Sequence, residues 1–286
     1  MLSVLIKGIL DFMEIILNAI ICYNNSAEII DYIKNLAELD NSDVLAVTVV
    51  INDDKTNQFE LEEQLRHLSI KYIVTKPHKN LGYMNGMIEG IRQYKNKFSD
   101  SIKWIVMSNT DITYPNKDFI NKLLLKKYEE DIWCIGPSVF VPHKKAFDNP
   151  VLTKRRSLFS VNKTIIIFSI PVIRVLYQRI SDIKTRLIKT NESESGYVYE
   201  VHGCCFIISM NLYKKILENP YKSFMYSEEA FIAEIVYHNH KRIFFDRDLK
   251  VEHNEHSVTS SLKLKGIAKL IASSMKDIKK EFYKEI

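Results

Sequence analysis

The sequence lacks the marks of several large protein classes. Its four cysteines form no C-x-x-C pair, and the adjacent Cys204 and Cys205 are poorly placed to bond each other. A reduced, cytosolic protein is therefore favoured over a disulfide-stapled, secreted one. No long uninterrupted apolar run occurs, which argues against a membrane-spanning helix. Internal repeats and low-complexity linkers are missing as well.

The N-terminal segment also lacks a secretory signal. Its apolar run is interrupted by Lys7, Asp11 and Glu14, and no small-residue cleavage site follows it. Together with the cysteine pattern, this predicts a cytoplasmic protein.

The net charge of the chain is small. The 286 residues carry a formal net charge of +5, and 46% of them are hydrophobic and 26% charged, as in an ordinary globular protein. The basic residues come with neither an aromatic stacking platform nor a helix-turn-helix pattern, so no nucleic-acid partner is expected.

The sequence does contain a regular alternation of strands and helices. Apolar strands are predicted at 15–23, 44–51 and 102–108, with helices at 26–39 and 82–95. Near-continuous apolar strands separated by helices indicate an α/β fold, with a parallel or mixed sheet covered by helices on both faces. In such sheets, ligands bind beyond the C-terminal ends of the strands.

Polar side chains follow three of these strands, at Tyr23 to Asn25, Asn52 to Asp54 and Asn109 to Asp111. We expect them to meet at one edge of the sheet and to form a binding site there. The structural alternative is that Asn and Asp are common turn-forming residues after a strand.

Two segments are basic and depart from the alternation. Residues 142–196 are irregular, and within them 154–189 hold nine Lys or Arg and a single acid, Asp182. Residues 261–286 predict a Lys-rich amphipathic helix. Basic residues beside short apolar stretches suit attachment to an anionic membrane surface. Solvated helices or a homo-oligomer contact would explain both segments equally well.

Five segments, taken in order, resemble the inverting glycosyltransferases of family 2, which have the GT-A fold. The likeness is to the bacterial rhamnosyl- and galactofuranosyl-transferase-like branch that builds surface polysaccharides. The segments are AIICYNN (19–25), VVINDDKT (49–56), KNLGYMNGMIEGI (79–91), VMSNTDI (106–112), and an acceptor-side set of VHGCCFIISMNLYKKI, FMYSEEAF and VEHNEHS (201–257). The resemblance covers 15–257 apart from 142–196.

This resemblance implies a GT-A-like, mixed but mostly parallel sheet in one domain over 1–260. A variable basic insertion would occupy about 142–196, and an amphipathic helix would follow at 261–286. The fold places the nucleotide-sugar donor and its metal at the polar edge described above.

The resemblance also assigns roles to single residues. Asp111 would hold Mn²⁺ or Mg²⁺, with His253 as a second ligand, because a divalent cation stabilises the charge that develops on the leaving diphosphate. Asn109 stands where the family often has a carboxylate, and a neutral amide binds metal more weakly. The expected substrate contacts are Tyr23, Asn25, Asn52, Asp53 and Asn109 for the nucleoside, Asn80 and Gly82 for the diphosphate, and Gly203 for the acceptor.

The acidic pair Glu228–Glu229 supplies the general base. Inverting transfer requires a carboxylate that takes the proton of the acceptor hydroxyl. Glu229 takes the place of the family's catalytic Asp and is one methylene longer, so the choice between the two acids stays open. Acids at a helix start are also favoured by the helix dipole alone.

The predicted function is metal-dependent, inverting transfer of a sugar from a nucleotide donor, UDP- or dTDP-linked, to a growing, lipid-linked cell-surface glycan. The protein would then work at the inner face of the plasma membrane as a peripheral enzyme. A degenerate, non-catalytic nucleotide or glycan binder is the first alternative, favoured by Asn109 and the altered base. A nucleotidyltransferase is disfavoured because CYNNSAEI lacks a Gly-rich loop with Arg or Lys.

Overall fold

A computed structural model describes residues 14–175, 177, 191–255 and 264–284. The strands are β1 (Ile15–Cys22), β2 (Leu45–Ile51), β3 (Lys71–Thr75), β4 (Ile102–Ser108), β5 (Ile112–Thr113), β6 (Ile132–Val141), β7 (Ala146–Phe147), β8 (Gly196–Val198), β9 (Cys205–Ser209) and β10 (Arg242–His253). The helices are α1 (Ser26–Ala37), α2 (Gln58–Leu65), α3 (Tyr83–Lys97), α4 (Phe119–Leu125), α5 (Leu158–Ser169), α6 (Met210–Glu218), α7 (Glu228–His238) and α8 (Leu264–Phe282).

The strands form one curled, mostly parallel sheet in the order β3-β2-β1-β4-β9-β6-β10-β5, with β7 paired to β6 and β8 to β10. β3, β2, β1 and β4 run parallel to one another. β9 is inserted antiparallel between β4 and β6, and β6 pairs parallel with β10. The mixed α/β fold predicted from the sequence is confirmed.

Helices cover both faces of the sheet because the strands are apolar on both sides. In β1, Ile16 and Ile20 pack into one core with α1, α2 and α4, whereas Leu17 and Ala19 face the other core, which contains α3, α6 and α7. All four side chains are fully buried. This two-sided burial explains why β1 and β2 appear as unbroken apolar runs.

The polar strand ends meet as the sequence predicts. β2, β1 and β4 are neighbours in parallel register, so their C-terminal ends share one edge. Hydrogen bonds join the three loops there: Asn24 N donates to Asp53 Oδ2 (2.9 Å), and Asn25 Nδ2 donates to Thr110 Oγ1 (3.0 Å).

The basic insertion is partly described, since residues 176 and 178–190 lie outside the described part. Its helix α5 is capped at the N-terminus by Ser157, whose side chain accepts a hydrogen bond from Ser160 N. The first two arginines of the segment point inward: Arg155 Nη2 is 2.8 Å from buried Glu234 and Arg156 Nη2 is 2.7 Å from buried Glu200. These two cations are therefore occupied inside the protein and are not free for a surface partner.

The C-terminal helix α8 confirms the amphipathic pattern over 264–282, and residues 261–263 and 285–286 lie outside the description. α8 packs against α5 and buries Ala268, Ala272, Met275 and Ile278. Among the described residues, no helix is both long enough and apolar enough to cross a membrane.

Candidate active site

Asp111 and His253 lie together at the polar edge. Asp111 directly precedes β5, which pairs with the end of β10 and places Ile112 opposite His253. Asp111 Oδ1 lies 3.3 Å from His253 Nε2, and each side chain is only 8% exposed. Within the described part of the chain, Asp111 Oδ1 and His253 Nδ1 are buried without a hydrogen-bond partner. Buried polar atoms left unpaired are unfavourable unless a ligand satisfies them.

The donor atoms at this place fit a divalent transition metal. A carboxylate oxygen and an imidazole nitrogen suit Mn²⁺, whereas Mg²⁺ favours all-oxygen surroundings. Asn109 Nδ2 lies 3.5 Å from His253 Nε2, so this amide borders the carboxylate–imidazole pair.

His202 is a residue at this site that the sequence analysis missed. One ligand atom each of His202, Cys204 and His253 lies within 4.8 Å of the others, an arrangement that could hold a metal ion. His202 Nδ1 accepts a hydrogen bond from Cys204 N (3.2 Å), and burial raises the pKa of the Cys204 thiol well above its usual range. The only sequence signal was a histidine directly before Gly203, which is too common a pattern to single out.

The acidic pair forms the first turn of α7, after a tight loop in which Tyr226 and Ser227 have φ of 72° and 67°. Glu228 is buried and accepts a hydrogen bond from Tyr226 N (2.9 Å). Burial, followed by the charge of Glu229, raises the pKa of Glu228 to about 8. Glu228 is thus held inside the protein, with an oxygen committed to its own loop.

Glu229 lies beside Gly203 and lines a cavity of about 230 Å³. It is half-buried, and a Cβ added at Gly203 would lie 3.2 Å from Glu229 Oε2. Burial, followed by the charge of Glu200, raises the pKa of Glu229 to about 7. A carboxylate that titrates near neutral pH and is reachable from a cavity is suited to general-base work.

The buried charge of Glu228 predicts an effect on stability. Because the pKa of Glu228 in the folded state lies above its usual value of 4.5, folding becomes less favourable as pH rises from about 4.5 to about 8. Glu228→Gln removes this penalty and should raise the free energy of unfolding by a few kcal/mol at pH 9, with little change at pH 5. Urea unfolding at the two pH values measures it, with exposed Glu38→Gln as the control. A Glu228→Gln protein that is less stable at pH 9 would contradict the assignment.

The start of α3 packs against the loop before the acidic pair. Gly82 has φ +79°, and a Cβ there would lie 1.8 Å from the Phe224 carbonyl oxygen, so only glycine fits. Asn85 Nδ2 donates to Ser223 O (3.2 Å), which ties the same loop to α3. The close approach predicted at Gly82 is thus to the protein's own loop. A diphosphate contact from Gly82 or from exposed Asn80, whose Oδ1 accepts from Gly82 N, stays a prediction.

Tyr83 connects the two halves of the site. Its hydroxyl donates to Gly203 O (3.2 Å). Burial raises the pKa of Tyr83 well above its usual range, and the charges of neighbouring thiols and carboxylates, including Glu228 and Asp111, raise it further. The segment that contains Gly203 also contacts the end of β4, since Asn109 N donates to Cys204 O (2.8 Å). This segment therefore joins the edge that carries Asp111 to the side of the site that carries Glu229.

The predicted nucleoside contacts differ in what their side chains already bind. Tyr23 is 39% exposed at the end of β1. Asp53 is desolvated, which raises its pKa, but hydrogen bonds from Asn24 N, Thr56 N and Lys55 N outweigh this and lower it. Asn25 Oδ1 accepts from Tyr23 N (2.8 Å). Of these side chains, the ring of Tyr23 is the most available to stack against a nucleobase.

Asn52 is occupied inside the protein. Its side chain is buried, its Nδ2 donates to Gly82 O (2.7 Å), and its Oδ1 accepts from Leu81 N (3.3 Å). The amide therefore fixes the loop before α3 to the end of β2. The expected contact of Asn52 with a nucleoside stays a prediction. In the structure Asn52 positions the loop before α3.

The fold is that of GT-A-type glycosyltransferases, as comparison with solved structures shows. The mannosyltransferase PcManGT from Pyrobaculum calidifontis, in complex with GDP-Man and Mn²⁺, aligns with a TM-score of 0.53 at 12% identity over 85% of this chain and 57% of its own. GalNAc-T7 with UDP, GalNAc and Mn²⁺ aligns with a TM-score of 0.58 at 11% identity over 94% of this chain and 48% of its own.

A third similar structure is S. aureus TarS 1–349 in complex with UDP-GlcNAc, with a TM-score of 0.51 at 14% identity over 88% of this chain and 62% of its own. The chain thus spans about half to three-fifths of the length of the proteins it resembles. No protein-family model matches the sequence, and no curated protein matches it. At these identities the likeness establishes the fold alone.

Proposed function

We propose that the protein is a metal-dependent, inverting glycosyltransferase that moves a sugar from a nucleotide donor to an acceptor hydroxyl. One observation carries the proposal: two carboxylates lie at either end of one short segment. Asp111 and His253 lie at the end of β4, where Asn109 N donates to Cys204 O (2.8 Å), and the carboxylate of Glu229 lies beside the neighbouring Gly203. Leaving-group stabilisation and proton removal are the two tasks that inverting transfer requires.

Asp111 and His253 would hold the metal, with Asn109 and His202 at its border. When bound, Mn²⁺ would neutralise the charge that develops on the departing diphosphate. The carboxylate and imidazole already lie side by side and are largely buried, so they would need little rearrangement. The similar structures of PcManGT and GalNAc-T7 contain Mn²⁺ with donor or nucleotide, which supports this choice of metal.

Glu229 would take the proton of the acceptor hydroxyl while that oxygen attacks the anomeric carbon. Its raised pKa makes it a stronger base than an exposed glutamate and still leaves it largely ionised above pH 7. A side chain at Gly203 would crowd this carboxylate, because its Cβ would lie 3.2 Å from Glu229 Oε2. Glu228, buried with an oxygen bonded to Tyr226 N, would fix the loop and not the substrate.

The finer features of the proposal follow the resemblance in the sequence. They are membership of family 2, the rhamnosyl- and galactofuranosyl-transferase-like branch, a UDP- or dTDP-linked donor, and a growing, lipid-linked surface glycan as acceptor. The work would take place at the inner face of the plasma membrane.

A thermal-shift panel of UDP-, dTDP- and GDP-sugars tests the proposal. We expect one nucleotide class to raise Tm by about 5 °C at saturating concentration when Mn²⁺ is present, and by much less without it. The matching nucleoside monophosphate is the control, because it lacks the diphosphate that the metal bridges. A chain whose Tm no nucleotide sugar changes, with or without metal, would not be a glycosyltransferase.

A further inference from the structure

A strip of exposed apolar side chains runs along α5 and the residues that follow it. Of the fifteen large hydrophobic side chains exposed in the described part of the chain, seven lie between 159 and 177. They are Phe159, Ile166, Ile170, Val172, Ile173, Val175 and Tyr177. Phe159 and Val172 are the most exposed of them, at 78% and 79%. Apolar residues so concentrated on a soluble surface mark an interaction site.

Lysines border this strip on α8. A groove of about 950 Å³ between α5 and α8 is lined on one side by Leu158, Ile165 and Ile166, and on the other by four lysines. The lysines are Lys276, Lys279, Lys280 and Lys284. No ion pair to any of the four is present among the described residues. An apolar strip bordered by unpaired cations complements a bilayer that carries anionic lipid, because the tails meet the strip and the headgroups meet the lysines.

The cavity that Glu229 lines is bordered by the same two helices. This cavity of about 230 Å³ is lined by Ile167 of α5, by Met275 of α8 and by the Glu229 carboxylate. Ile167 is adjacent in sequence to Ile166, and Met275 to Lys276, and Tyr177 of the apolar strip also lines the cavity, so cavity and groove are neighbours along the α5–α8 contact.

We propose that the α5–α8 face, defined by the apolar strip and these four lysines, docks on an anionic lipid bilayer. Docking places the Glu229 cavity next to the membrane, where an acceptor with an apolar tail would present its hydroxyl. The second statement rests on the proposed function, whereas the docking itself does not.

Co-sedimentation with vesicles of phosphatidylcholine and phosphatidylglycerol tests the docking. Each lysine at an anionic surface contributes a factor of about five to binding, so Lys276→Glu, Lys279→Glu and Lys280→Glu together should weaken it by at least about a hundredfold. The matched control carries Lys55→Glu, Lys127→Glu and Lys214→Glu, which change three exposed lysines elsewhere and should change binding severalfold at most.

The apolar part of the face is tested separately. Phe159→Ser with Val172→Ser should abolish the binding that persists at high salt, and Phe59→Ser with Leu125→Ser, at 82% and 81% exposure, is the matched control. Since all four native cysteines are buried, an environment-sensitive dye can be attached at Phe159→Cys or at Phe59→Cys. Brominated lipid should quench the first dye and not the second.

Equal binding of the charge variant and its control, no binding to anionic vesicles, or equal quenching of both dyes would overturn the proposal. So would a chain that is dimeric in solution and becomes monomeric with Phe159→Ser, because the face would then contact a second copy. Vesicle binding requires neither donor nor metal. Its failure is therefore distinguishable from failure of the nucleotide-sugar panel, which reports on the proposed transfer alone.

Discussion

Replacement of Asp111 by Ala should lower Mn²⁺-dependent sugar transfer and donor hydrolysis by about a thousandfold. The variant removes the carboxylate whose Oδ1 lies beside His253 without a hydrogen-bond partner, and with it the principal proposed site for the metal. The Mn²⁺-dependent rise in Tm with nucleotide sugar should disappear as well. Steady-state rates with saturating donor measure the first effect, and thermal shift measures the second.

The control for this experiment is Asp54→Ala. Asp54 is an exposed acid at the end of β2, near the same edge, so it tests whether any negative charge there would serve. It should keep activity within severalfold. An Asp111→Ala enzyme that retained a tenth or more of the rate would remove Asp111 from the mechanism. If Asp111→Ala loses nucleotide-sugar binding but the wild-type protein shows no measurable transfer, the non-catalytic binder would be favoured.

Glu229→Gln should lower transfer by about a thousandfold while leaving metal-dependent donor binding intact. The amide keeps the shape of the side chain in front of Gly203 but cannot accept a proton from the acceptor. Donor binding depends on the Asp111 edge and so should be unchanged. Transfer rates, set beside donor affinity from thermal shift or calorimetry, separate the two effects.

The pH dependence provides a second measurement on the same residue. Since the pKa of Glu229 is raised to about 7, wild-type transfer should rise as pH increases through 7, when the base loses its proton. This limb should be missing from the residual activity of Glu229→Gln. Glu228→Gln should retain both the limb and most of the rate. If Glu228→Gln loses the rate and Glu229→Gln keeps it, the roles of the two acids are reversed.

The fold was largely predictable because the sequences of its central strands indicate that they are buried on both faces. β1 and β2 are buried on both faces, so their apolar runs indicate central parallel strands without reference to the rest of the chain. The meeting of Asp53, Asn25 and Asp111 at one edge then follows from the direction of the strands. The antiparallel position of β9 between β4 and β6 could not be predicted, since strand order depends on how distant segments pack.

The site was predictable where a residue stands at a strand end and unpredictable where its role depends on a distant partner. Asp111 was singled out because a buried strand ends on it. Asn52 looks equally available in the sequence, yet its amide is satisfied by Gly82 O and Leu81 N from another loop. In the sequence Arg155 likewise belongs to a run of basic residues that predicts an exposed face. Its buried partner Glu234 is 79 positions away, so the sequence alone does not indicate the ion pair.

The proposed mechanism requires one spatial relation, in which a metal bound at Asp111 and the Glu229 carboxylate act on the same bound donor and acceptor. Anomalous diffraction at the manganese edge, from crystals containing Mn²⁺ and the nucleoside diphosphate selected by the thermal-shift panel, measures this relation directly. We expect one strong peak in contact with both Asp111 and His253, with the terminal phosphate directed toward Gly203 and Glu229. A peak elsewhere on the molecule, or a nucleotide whose phosphates point away from Glu229, would contradict it.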